Sequence, residues 1–130
     1  MSGALSEPQL TPEERGSLER GLAEFNAGRY FECHDTLEDL WSGIRGPSRD
    51  FFQGLIQVAV AFHHLGNGNR AGAASLLEKA LGRLERYGDA YLGLDLAALR
   101  LGLNGWLGRL RSGEPVARES PPRWCLRSES

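Results

Sequence analysis

The chain has little of what marks several large protein classes. It holds only two cysteines, Cys33 and Cys125. That is too few for a disulfide framework, and their spacing suits neither zinc nor redox chemistry. Both read as free thiols of a reducing compartment. There is no long hydrophobic run. The best stretch, Leu55 to Phe62, is interrupted by Gln57 and is far shorter than the roughly 20 residues a bilayer requires. The opening residues, Met-Ser-Gly-Ala-Leu-Ser-Glu, lack the charged and apolar regions of a signal peptide. A cytoplasmic location without membrane association is therefore expected. A formal net charge of −2 gives no positive field to draw in a phosphate backbone, so nucleic acid is not expected as a partner. No Gly-x-Gly-x-x-Gly or Walker-type loop occurs, and Gly66-Asn67-Gly68-Asn69 reads as a helix stop and restart. No Ser/His/Asp or Cys/His arrangement is evident. No segment alternates with period two, so no sheet is expected.

What is present is helical grammar. Thr11, Pro12 and Glu14 supply an N-cap, a first-turn proline and a capping-box carboxylate. Leu18, Leu22 and Phe25 follow as a stripe, closed by Gly28. A second helix runs from about Tyr30 to Ile44, ahead of Gly46-Pro47, and a third from Ser48 to about Leu65. Asn69 can cap a fourth, with Ala73, Leu76, Leu77, Ala80, Leu84 and Tyr87 on its stripe, and Asp95 a fifth, with Leu96, Leu99, Leu103, Trp106 and Leu110. The expected fold is all-α, a compact bundle of about five helices built from antiparallel hairpins. It occupies residues 11–112, between a flexible N-terminal tail, 1–10, and an irregular C-terminal tail, 113–130, in which Trp124 is available to cover an apolar groove. Shifting the chain by forty positions lays Gly28 on Gly68, Leu37 on Leu77 and Glu38 on Glu78, a faint echo of one hairpin in the next.

The candidate site comes from polar groups that break this pattern. On a wheel of ~100° per residue, Cys33, Leu37, Leu40 and Ile44 of the second helix share an arc with Tyr30 and Trp41 beside them. His34 and Glu38 fall between Trp41 and Phe31 on that apolar side, while Glu32, Asp35, Thr36 and Asp39 face solvent. The third helix is apolar nearly all round, as a central helix is. Its exceptions, Gln53, Gln57 and His64, share one strip and would be natural partners of His34 and Glu38, whereas His63 points toward Phe52 and Ile56. Buried polar groups without partners cost on the order of 1–3 kcal/mol, so some pairing is required. Lys79, Arg83 and Arg86 read as a solvated face.

Three roles fit the cluster. It can be a structural network fixing helix register. It can be a pocket in which His34 and Glu38 do acid–base work and Trp41, Tyr30, Phe31, Gln53, Gln57 and His64 line a ligand. It can be a metal site of His34, Glu38 and His64, which is not favoured because the spacing is not His-Glu-x-x-His. The cofactor is left unknown. A non-catalytic helical interaction module, with a protein partner or a second copy of the chain, is the alternative to a small enzyme or ligand-binding domain.

The run Phe25-Asn26-Ala27-Gly28-Arg29-Tyr30-Phe31-Glu32-Cys33-His34, followed by Glu38 and Trp41, resembles the bacterial and archaeal family known as domain of unknown function 309. A second block, Phe52-Gln53-Gly54-Leu55-Ile56-Gln57-Val58-Ala59, with His64, Gly68-Asn69 and Gly72-Ala73, extends the resemblance over about residues 18–90. It implies an all-helical fold and a His-x-x-x-Glu-x-x-Trp signature as the functional candidate. Asp35 stands where that family often has Glu. No activity is implied.

Overall fold

The computed structural model describes residues 6–115; Trp124, Cys125 and the outer parts of both tails lie outside them. Among the described residues five helices form: α1 (Pro12–Asn26), α2 (Tyr30–Ser42), α3 (Arg49–Gly66), α4 (Arg70–Leu84) and α5 (Leu96–Ser112). A 3₁₀ turn, Glu85–Tyr87, extends α4, and two short strands, β1 (Ala90–Tyr91) and β2 (Leu94–Asp95), precede α5. Successive helices pack on one another from α1 through α5, and α3 is the central one, with Phe51, Phe52, Leu55, Val58 and Ala59 buried. Among the described residues no helix is long and apolar enough to cross a membrane.

The helix starts follow their side chains. Glu14 N donates to Thr11 Oγ1 at 3.0 Å and Thr11 N donates to Glu14 Oε1 at 2.9 Å, closing a capping box. Asn69 Oδ1 accepts from Gly72 N at 2.9 Å and Asp95 Oδ1 from Ala98 N at 3.0 Å.

The forty-residue echo is structural. The α1–α2 and α3–α4 turns have the same form, with Gly28 at φ 81° and Gly68 at φ 80°. Arg29 N reaches back to Glu24 O at 2.8 Å, and Asn69 N to His64 O at 2.8 Å. Glycine takes this left-handed position without a Cβ clash.

Two other glycines set how closely the helices approach. A Cβ on Gly21 of α1 would lie 2.7 Å from Leu37 Cδ2 and 3.7 Å from Thr36 Cγ2. α1 therefore lies directly on α2 at Thr36 and Leu37, and Thr36, expected on the solvent side, is buried. A Cβ on Gly54 of α3 would lie 3.1 Å from Leu84 Cδ2 and 3.4 Å from Arg83 Cβ, so α4 closes onto α3 at its C-terminal end.

The expectation of no sheet is corrected by β1 and β2, which pair antiparallel with Ala90 opposite Asp95 and Tyr91 opposite Leu94. Strands this short cannot show an alternating pattern. They form because Leu92 and Gly93 both take positive φ, 50° and 84°, as a two-residue hairpin turn requires. Burial of Tyr91, Leu92 and Leu94 offsets the strain of a left-handed leucine. The N-terminal segment is tied to this turn: Tyr91 Oη donates to Ser6 O at 2.6 Å, Leu92 N to Glu7 Oε2 at 2.9 Å, and Arg15 Nη1 to Leu92 O at 3.0 Å. The fold class stays all-α.

Two consequences can be measured. Gly54→Ala gains helix propensity of up to about 1 kcal/mol but presses on a fully buried Leu84, and overpacking costs about 1–3 kcal/mol. We expect a net loss of about 1 kcal/mol in urea unfolding, whereas Gly16→Ala, with nothing within 4 Å of the new methyl, stabilises. The second concerns alkali. Burial, reinforced by the Glu24 charge, pushes the Cys33 thiol from 9.0 up to about 12. Burial, then Tyr87 and Glu7, push the Tyr91 hydroxyl from 10.0 to about 12. Above these ordinary values the unfolded chain releases protons that the folded chain retains, so stability falls as pH rises from 9 to about 12. Urea midpoints at pH 8 and pH 11 should differ accordingly; equal midpoints would contradict it.

Candidate functional site

The residues nominated from the sequence do not form one cluster. His34 and Glu38 pair with each other at the surface, Nε2 to Oε2 at 3.2 Å, with Asp35 Oδ1 3.5 Å from His34 Nδ1. The Glu38 side chain is 55% exposed and that of His34 26%, so the pair does not sit in an apolar arc. Phe31, counted as one edge of that arc, is itself 55% exposed. Close packing of α1 at Gly21 turns the buried side of α2 toward Thr36 and away from Glu38.

Tyr30 and Phe31 lie at the other end of α2. The Tyr30 ring packs 5.1 Å from Phe25 and 5.7 Å from Phe62, and burial raises its hydroxyl pKa. Phe31 lies 5.6 Å from His63, so His63 rather than His64 meets α2 there. Both line a cleft of about 250 Å³ with Arg29, Phe62 and Asn67. No hydrogen bond or ion pair links His64 to His34 or Glu38. Among the described residues no group of three or more His, Cys, Asp or Glu is placed to hold a metal ion.

Trp41 and Gln53 do meet. They line a cleft of about 460 Å³ with Gly46, Pro47, Arg49, Asp50, Arg83 and Arg86, between the end of α2, the start of α3 and the end of α4. The Arg49 guanidinium lies 3.8 Å from the centre of the Trp41 ring. Its Nη1 donates to Trp41 O at 3.1 Å and Ile44 O at 2.9 Å, satisfying carbonyls at the end of α2. Asp50, in the first turn of α3, bridges two arginines. Arg83 Nη1 donates to its Oδ1 and Arg86 Nη1 to its Oδ2, the latter at 2.6 Å. Arg83 Nε donates to Gln57 Oε1 at 3.1 Å, so the partner of buried Gln57 is on α4 and not on α2.

Two polar groups here are left over. The Trp41 Nε1–H is buried without an acceptor, and the half-buried Gln53 amide makes no hydrogen bond among the described residues. Arginine was absent from the sequence-based site. Asp50, Gln53 and Gln57 recur at helical spacing, as do Arg83 and Arg86. That spacing was the available signal, but only the α3–α4 crossing shows that the two sets face each other.

The fold and cleft define a small helical domain of two like hairpins with a polar groove between them. The model of the family described as domain of unknown function (DUF309) matches residues 18–76. That stretch holds His34, Glu38, Trp41, Arg49, Asp50 and Gln53; Arg83 and Arg86 lie beyond it. An uncharacterised protein of Aquifex aeolicus (strain VF5) is 28% identical over 99 residues, 75% of this chain and 30% of that protein. The uncharacterised protein YpuF of Bacillus subtilis (strain 168) is 41% identical over 78 residues, 57% of this chain and 45% of its own length. The chain thus spans less than half the length of these relatives.

Because the His34–Glu38 pair is solvent-exposed, it contributes no more than about 1 kcal/mol. Glu38→Gln should therefore move the unfolding midpoint by less than the equivalent of about 0.5 kcal/mol. A loss several times larger in chemical denaturation would mark Glu38 as structural.

Proposed function

We propose that this chain is a small-molecule-binding domain whose site is the cleft between α2, α3 and α4, with Trp41 and Gln53 touching the ligand. One observation carries this reading. The tryptophan of the His-x-x-x-Glu-x-x-Trp signature meets, in a cleft of about 460 Å³, a half-buried glutamine whose amide has no partner among the described residues. That volume lies within the roughly 300–1,000 Å³ of small-ligand sites. A polar group held half-buried and unsatisfied beside an aromatic wall is the arrangement that a ligand completes.

His34 and Glu38 fit as an extension of this site. They precede Trp41 by seven and three residues, which at 1.5 Å per residue puts them about 10 Å and 5 Å back along one face of α2. A ligand reaching out of the cleft along that face meets the Glu38 carboxylate first. The pair's acid–base role would then be exercised on the outer part of the ligand.

The test is a titration of the ¹⁵N-labelled chain with a small-molecule panel that includes neutral, cationic and anionic compounds. Saturable shifts of the Trp41 indole and Gln53 side-chain signals are expected, weakened several-fold by Gln53→Leu. If no compound gives a saturable response at these two residues, the cleft is not a binding site.

A further inference from the structure

We propose that the ligand of this cleft carries a phosphate monoester, held by Arg49, Arg83 and Arg86; this rests on the small-molecule reading above and names its chemical class. Three guanidiniums against the single Asp50 carboxylate give the cleft lining a net charge of +2. The chain as a whole carries −2, so the cleft opposes the overall charge. A phosphate monoester above pH 7 carries between about −1.5 and −2, which matches this lining, whereas a carboxylate leaves half of it uncompensated.

Donor geometry points the same way. Each guanidinium offers five N–H donors. Arg49 uses Nη1 on backbone carbonyls, Arg83 uses Nε and Nη1 on Gln57 and Asp50, and Arg86 uses Nη1 on Asp50. The Nη2 groups of all three have no acceptor among the described residues. Asp50 holds Arg83 and Arg86 together on one carboxylate, and Arg49 is fixed against the Trp41 ring. Arginines whose positions are set before binding lose less side-chain freedom when an anion arrives. The Gln53 amide adds a neutral donor. The cleft is larger than a phosphate alone needs, which leaves room beside Trp41 and Pro47 for an organic group.

The experiment follows the Trp41 indole and Gln53 signals of the full chain at pH 8 against inorganic phosphate, phenyl phosphate and benzoate, at ionic strength held constant with NaCl. Both phosphates should give saturable shifts, and phenyl phosphate should bind at least about tenfold more tightly than benzoate. Arg86→Gln removes an exposed side chain from the cleft, and its melting curve reports whether it is folded. It should weaken phenyl phosphate about tenfold, the loss expected for one charge-assisted hydrogen bond. Equal affinity for benzoate, or a response to neutral or cationic compounds without one to phosphate, overturns the phosphate assignment while the binding site stands. Phosphate affinity unchanged in both Arg86→Gln and Arg49→Gln places the anion elsewhere and also overturns it. If nothing in the wider panel moves Trp41 or Gln53 either, the site itself falls with it.

Discussion

The closeness of α4 to α3 at Gly54 governs the end of this molecule that holds the Trp41 cleft. With no side chain at that position, Leu84 and Arg83 lie within 3.1–3.4 Å of where a Cβ would stand. At that separation Arg83 reaches both Gln57, one turn along α3, and Asp50, one turn back. Moving α4 outward by the thickness of a methyl would lengthen each of these bonds past its useful range. Asp50 would then lose its first arginine, Gln57 its arginine partner, and the cleft its far wall. One absent side chain thus sets the helix spacing and the charge arrangement together.

Much of the frame was legible in the sequence because it is written locally. Thr11, Asn69 and Asp95 cap the helices they precede, and Gly28 and Gly68 close the same turn twice, since caps and left-handed turns depend on residues only a few positions apart. The candidate site was legible only in part. Periodicity sorts residues into apolar and polar arcs, yet it cannot say which arc a neighbour will cover. Phe31, at the edge of the expected apolar side, is exposed, and Thr36, on the expected solvent side, is buried, because α1 packs at Gly21 on the Thr36 side. That single rotation carries Glu38 into solvent. Gln57 was rightly expected to have a partner, but the partner is an arginine 26 residues away. Trp41 and Gln53 line one cleft because the short turn through Gly46 and Pro47 brings the end of α2 beside the start of α3. The hairpin at Ala90–Asp95 was invisible because two residues carry no period.

The divided positions of the nominated residues narrow what chemistry the domain can support. A general acid or base is best placed where a charge partner is held in a confined, water-poor pocket. His34 and Glu38, open to water and paired across one helical turn, have the partner without the confinement. The cleft beyond Trp41 has the opposite character, with fixed cations, a bridging carboxylate and unsatisfied donors but no histidine or cysteine in its lining. Such a lining suits an anion, and on the proposed reading proton transfer would be the work of the exposed pair on a group that extends from the cleft.

The repeated hairpin separates what the fold provides from what the sequence adds. Forty residues on from Trp41 stands Leu81, and on from Glu38 stands Glu78. Both line the corresponding groove between α4 and α5, of about 440 Å³. A groove of this size is therefore a product of hairpin packing and by itself indicates no ligand. The two differ in their linings. In the second groove the aromatic is replaced by leucine, and Glu78 is held by Arg111 Nη2 at 2.8 Å. Its charged residues, Glu78, Glu85 and Arg100, give a net negative lining. In the first, three arginines surround one aspartate and the tryptophan is kept. The two grooves are of similar size, so the contrast between them lies in the charge and aromatic character of their side chains. On that contrast rests the assignment of ligand binding to the groove at Trp41 and not to its counterpart.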